Sequence, residues 1–176
     1  DWAEDQNDPD PNSFSQNLFS NLNEIETFIN SDIDTNGKDK VVMVDAINHG
    51  LEEELENNKK MILYGQDIAG GKGGVFTVTR GLTKKFGKSR VFNAPLAESS
   101  IIGTAIGMAT FGYKPVVEIQ FGDYIWTAMM QIRNELATLR YRSNGDWFCP
   151  VVIRVPVGGY IHGSLCHSQS IDGYFT

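Results

Sequence analysis

Two kinds of apolar pattern alternate along this chain: residues recurring at helical spacing, and short unbroken runs. Phe14, Leu18, Leu22, Ile25 and Ile29 form one stripe, which predicts a helix over 13–30 with Ser13 as its N-cap after Pro11. Polar residues then reach Lys40. Val44, Ile47, Leu51 and Leu55 form a second stripe, ended by Asn57 and Asn58. Met61 to Tyr64 reads as a strand, 76–86 as a helix stopped by Gly87, and 90–93 as a strand. A helix is expected from about Ser99. Its apolar residues Ile101, Ile102, Ala105, Ile106 and Ala109 cover most of the circumference, so the helix should be buried. Gly112 suits its C-terminal cap and Pro115 follows. A strand over 115–120, a long helix over 124–142 and a β-branched strand over 150–155 complete the series. Strands alternating with helices predict an α/β fold, a parallel sheet covered by helices.

Charge divides the same chain differently. Its 176 residues carry a net charge of −7, yet residues 1–40 hold ten acids against two lysines. The acidity therefore belongs to the first segment, and the rest is close to neutral. Residues 1–40 read as an acidic linker carrying the first amphipathic helix, and 41–176 as one domain. A near-neutral body lacks the basic face that nucleic acid requires. No apolar run reaches the roughly 18 residues of a membrane span. Two cysteines, Cys149 and Cys166, are too few for a disulfide framework, so a reducing cytoplasmic setting is expected. A first residue that is Asp and not Met suggests a fragment or a processed chain.

Three stretches are candidates for chemistry. The cluster Gly70-Gly71-Lys72-Gly73-Gly74 invites a phosphate-loop reading. It lacks the Gly five positions before Gly71 and the Ser or Thr after Lys72, so a turn-forming loop is the better reading. No G-x-G-x-x-G fingerprint of a dinucleotide site is present either. Glu98 stands between a strand and a buried helix, where open α/β sheets place ligands; the bland alternative is a solvated acid in a helix's first turn. Gly103 and Gly107 share a face of that helix, and each costs about 1 kcal/mol relative to Ala, which suggests close approach of another backbone. His162 and His167 lie in a glycine-rich loop with no companion ligands for a metal.

Pro95-Leu96-Ala97-Glu98-Ser99, followed by Ile101-Ile102-Gly103-Thr104-Ala105-Ile106-Gly107, resembles the β subunits of the thiamine-diphosphate-dependent 2-oxo acid dehydrogenases, the E1 components. The resemblance continues through Val117-Glu118-Ile119-Gln120-Phe121, Asp123-Tyr124-Ile125, Leu139-Arg140-Tyr141-Arg142-Ser143 and His167-Ser168-Gln169-Ser170. It implies a transketolase-like pyrimidine-binding domain, with more sheet and a further domain beyond residue 176, so the chain looks truncated at its C-terminus. Arg90-Val91-Phe92-Asn93, Ile119 to Phe121 and Arg140 to Ser143 look closer to the branched-chain type. Pyruvate and acetoin enzymes remain alternatives, as does a non-catalytic assembly module with the same fold.

By the same resemblance, Glu98 falls on the carboxyl that shares a proton with the aminopyrimidine of thiamine diphosphate. Such a group needs desolvation to raise its pKa, while the helix dipole pulls the other way. Tyr124 falls where an aromatic meets the ring, Leu96 where the ring is contacted, and Phe121 is read with them as a cofactor contact or as a core or rim aromatic. His167 is implied in proton handling during acyl transfer to a lipoyl-bearing E2 acyltransferase. Gly65-Gln66-Asp67 departs from the family, which often carries an ionisable Glu at the position of Gln66 to relay protons between paired sites. The Gly-Asp-Gly motif that holds Mg²⁺ and the diphosphate is absent. An E1 α-type subunit or a fused upstream α domain is therefore implied for that half, and self-association is expected through the Gly103–Gly107 face.

Overall fold

The computed structural model describes residues 1–19 and 39–176. Four parallel strands make one sheet: β1 (Met61–Gly65), β2 (Val91–Asn93), β3 (Lys114–Glu118) and β4 (Val152–Arg154), in the order β2-β1-β3-β4. Alternation along the strands explains why both faces are covered. Met61, Leu63 and Val91 point to one face and pack with Leu55, Ile68 and Leu82. Tyr64 and Val117 point to the other and pack with Ile101, Ile102, Ala105 and Ala128.

The first face is covered by α1 (Met43–Asn57) and the short α2 (Leu82–Phe86), the second by α3 (Glu98–Thr110) and the helical stretch after β3. Arg90 ties the first layer together. Its guanidinium donates to the carbonyls of Leu55, Asn58 and Met61, satisfying the C-terminus of α1 and opening β1. On the other layer, buried Tyr64 stacks on Phe92 and donates to the Ile101 carbonyl at 2.9 Å, which fixes α3 to the sheet.

Several expected elements take another form. The predicted helix over 76–86 is broken: Phe76, Thr77 and Gly81 have left-handed backbones, and only Leu82–Phe86 is α-helical. That backbone serves the preceding loop instead, with Thr79 Oγ1 donating to the Ile68 carbonyl. The predicted helix over 124–142 is a rod of changing pitch: a 3-10 segment (Gly122–Ala128), a π segment (Gln131–Leu136) and the short α4 (Leu139–Arg142). At the N-terminus, Pro11–Ser15 is a 3-10 turn capped by Asp10, not by Ser13. Asn17 is left-handed, so the helix expected from Ser13 does not run through the described residues to Phe19; its remainder lies outside the described residues.

Helix α3 is buried on one face only. Ile101, Ile102, Ala105 and Ala109 are enclosed, whereas Gly103, Thr104, Gly107 and Thr110 are exposed. No backbone among the described residues approaches the two glycines. A Cβ on Gly107 would meet nothing within 4 Å, and one on Gly103 only the Gln131 side chain at 3.7 Å.

Candidate active site

The sheet order places a switch point between β1 and β3, because the chain leaves β1 toward β2 and returns to β1's other side. Ligand sites of open α/β sheets form at the carboxyl ends of strands near such a point. Gln66 follows β1 there. Glu98 arrives from β2 through Ala94–Ala97, in a connection anchored at one end by Ala94 N–H donating to the Gly65 carbonyl at 2.8 Å. Asn93 Oδ1 also accepts from Ala69 N–H at 2.7 Å, joining the ends of β1 and β2.

Glu98 is the first residue of α3 and is half-buried. Gln66 Nε2 donates to its Oε1 at 3.0 Å, and Thr127 Oγ1 donates to its Oε2 at 2.9 Å. Ser99 Oγ in turn donates to the Thr127 carbonyl, bracing the rod against the start of α3. Burial pushes the Glu98 pKa up. The donors from Gln66, its own backbone N–H and Thr127 together outweigh that, and the net shift is downward. The balance left open by the sequence thus falls on the lowering side in this chain, because the carboxylate is only partly desolvated and well supplied with donors.

Leu96, two residues before Glu98, is 82% exposed and free to meet a ligand. Tyr124, which follows β3 in the chain, meets His167: Tyr124 Oη lies 2.8 Å from His167 Nε2. Phe121 packs edge-on to both rings, with centroid distances of 5.9 Å to Tyr124 and 4.7 Å to His167. Phe121 also lines an apolar cleft of about 570 Å³, so it is a rim residue and not part of the core. His162 is exposed with a left-handed backbone and stands apart from this cluster. Among the described residues no group of three His, Cys, Asp or Glu side chains converges in a way that would hold a metal ion.

Three participants escaped the sequence reading. Thr127 reaches Glu98 from a helical segment with no spacing signal to connect them. Glu118 is 1% exposed at the end of β3, directly opposite Arg154 of β4. Arg154 Nε donates to Glu118 Oε2 at 2.8 Å, and Nη2 lies 2.7 Å from the same oxygen as a close ionic contact. Val75 N–H donates to Oε1 at 3.3 Å, so this ion pair pins the end of the glycine loop. A charged residue inside each of two apolar strands was the available signal. Asp67, the ionisable neighbour of Gln66, is committed to Lys72 Nζ at 2.6 Å and to Gln120 Nε2 at 3.1 Å.

A family model described as transketolase, pyrimidine binding domain matches residues 39–176. The chain belongs to that family. Over 133 residues it is 50% identical to the 2-oxoisovalerate dehydrogenase subunit beta of Bacillus subtilis, a match covering 76% of this chain and 40% of the relative. It is 43% identical to the pyruvate dehydrogenase E1 component subunit beta of the same organism, covering 76% of this chain and 41% of that one. The chain thus spans about 40% of the length of these curated relatives. Among solved structures, a split-gene transketolase described as an inactive beta4 tetramer superposes with a TM-score of 0.51 at 25% identity, over 73% of this chain and 36% of that one. The parallel helix-covered sheet is the fold expected of this pyrimidine-binding family. No described helix is long and apolar enough to cross a membrane.

Proposed function

We propose that this chain supplies the aminopyrimidine half of a thiamine-diphosphate site in the E1 component of a 2-oxo acid dehydrogenase, with Glu98 as the proton-sharing carboxyl. The observation that carries the reading is the Glu98 carboxylate, held at the switch point by Gln66 and Thr127 beside an exposed Leu96. A flat hydrogen-bonding ring suits this donor set: an oriented carboxyl, a free aliphatic side chain, and the buried Gln66 Oε1 without a partner among the described residues. When bound, thiamine diphosphate supplies the electron sink for loss of CO₂ from a 2-oxo acid.

The chain's own residues then have defined tasks. Glu98 holds or releases a proton at its carboxyl, while Gln66 and Thr127 fix its orientation. Leu96, Tyr124 and Phe121 hold the ring. His167, whose Nε2 faces Tyr124 Oη, handles a proton during acyl transfer to the lipoyl group of an E2 acyltransferase. Mg²⁺ and the diphosphate fall to an E1 α-type subunit or a fused upstream α domain. Closure of that partner over Glu98 excludes water and adds the desolvation that lifts its pKa toward working pH. The acidic segment 1–40 serves as linker and 41–176 as the pyrimidine domain, in a cytoplasmic enzyme. The higher identity to the 2-oxoisovalerate relative favours a branched-chain substrate, and the 43% identity to a pyruvate relative keeps pyruvate as the second choice. A non-catalytic assembly role is the competing reading, supported by the uncharged Gln66.

Glu98→Gln in the assembled full-length enzyme is the deciding variant. It keeps the shape and removes the ionisable proton. Cofactor binding should stay near normal while exchange of the cofactor's C2 proton and decarboxylation slow by about a thousandfold or more. Exchange at the wild-type rate would remove Glu98 from the chemistry and favour the assembly role.

A further inference from the structure

Gln66 follows β1 directly and is 2% exposed. Its Nε2 donates to Glu98 Oε1, while its own Oε1 is buried with no hydrogen-bond partner among the described residues. An unpaired buried amide oxygen carries a desolvation penalty that an aliphatic side chain of the same size would avoid. Packing alone therefore does not account for an amide here. An amide presents a donor at one end and an acceptor at the other. Toward an ionised carboxylate only the nitrogen end makes a hydrogen bond. Toward a protonated carboxyl the oxygen end, brought round by a half-turn about a soft terminal torsion, accepts the O–H.

We propose that Gln66 is the positioning residue for Glu98: its amide holds the Glu98 carboxyl in place in either protonation state and, being unable to ionise, leaves the proton on Glu98. The inference rests on Glu98 being the proton-handling group proposed above. It also explains what Gln in place of Glu changes. Two carboxyls at this separation titrate as a coupled pair and exchange a proton, whereas a carboxyl and an amide do not.

Among the hydrogen-bonding groups around Glu98, Gln66 exerts the largest influence. Glu98 receives its other hydrogen bonds from Thr127 and from its own backbone N–H. The charged and titratable groups on the adjoining segments are engaged elsewhere. Asp67 bonds Lys72 and Gln120, Asp123 accepts from the Gln169 N–H at 3.4 Å, and Tyr124 pairs with His167. None of them has a hydrogen bond or ion pair to Glu98 among the described residues.

The test is an infrared titration of the Glu98 carboxyl in the full-length enzyme with its α-type partner, the signal being the one that Glu98→Gln removes. Wild type should titrate in one step. Gln66→Met, similar in volume but without a donor, should raise the midpoint by about one pKa unit. Gln66→Glu should give two coupled steps, reduced to one when Glu98→Gln is added. The pH profile of C2-proton exchange should move in parallel. An unmoved midpoint in Gln66→Met, or independent unshifted steps in Gln66→Glu, overturns the inference; if Gln66→Met does not fold, the near-isosteric Gln66→Glu decides alone. A moved midpoint together with C2-proton exchange indifferent to Glu98→Gln would uphold the positioning role and sink the proposed function instead.

Discussion

Glu118 is the most deeply buried charge among the described residues, and its pKa shows what holds it there. Burial raises it, and Arg154 and the Val75 N–H pull it back without cancelling the rise. A carboxyl whose folded pKa lies above its unfolded value favours the folded state most when protonated. That contribution is complete at pH below the unfolded pKa and is lost as pH climbs through the folded one. Arg154 offsets the loss at neutral pH. Arg154→Met should therefore destabilise the full-length protein by about 3–5 kcal/mol near pH 7, the usual cost of stranding a buried charge. The deficit should shrink as pH falls and Glu118 protonates. Urea unfolding of wild type and variant across pH measures both, and a deficit independent of pH would exclude the stranded carboxylate as its cause. At this scale the sequence was partly legible. Glu98, Tyr124 and His167 stood out in their motifs, but the pairing of Tyr124 with His167 and the arrival of Thr127 at Glu98 depend on how β3 and its following rod pack.

Among elements, the central strands followed from apolar runs because both sheet faces are covered, and α3 from its apolar positions and the Gly112 cap although it is buried on one face only. The misread stretches were those where local spacing resembled a helix but the backbone had other partners. The 76–86 stretch bends to serve the Gly74 loop. The 124–142 rod adopts a wider turn at Gln131–Leu136, where Ala137 N–H bonds the Ile132 carbonyl five residues back. Helix α3 leaves its glycine face open, which supports self-association through it. Gly107→Leu tests that at the scale of the helix. With nothing within 4 Å of a Cβ there, the fold should survive, gaining up to about 1 kcal/mol of helix propensity. Sedimentation should show the association lost. Unchanged association would place the contact elsewhere.

For the molecule as a whole, the proposed division of labour gives the ring and its carboxyl to this chain and the charged diphosphate to a partner. Calorimetric titration of the purified chain with thiamine diphosphate and Mg²⁺ should accordingly give weak binding or none, since the divalent metal that neutralises the diphosphate needs oxygen ligands that no described cluster offers. Micromolar affinity in a monomer would place the metal half on this chain after all. The expectation of a divided site was legible early, in the absence of a Gly-Asp-Gly motif. The exact partition of the sheet between its two layers was not, because it depends on register across β1, β2 and β3.

Every neighbouring pair of strands in this sheet is parallel, so each pairing waits for a crossover to fold between its members. Closing such loops is slow, and the contacts that repay it come late. Gln66, Glu98 and Thr127 lie on three separate stretches and meet only once β1, β2 and β3 are aligned. During synthesis the chain thus carries exposed strand edges well before it carries a site. The outer edges of β2 and β4, each paired on one side only among the described strands, are the stretches of backbone most open to mispairing in that interval.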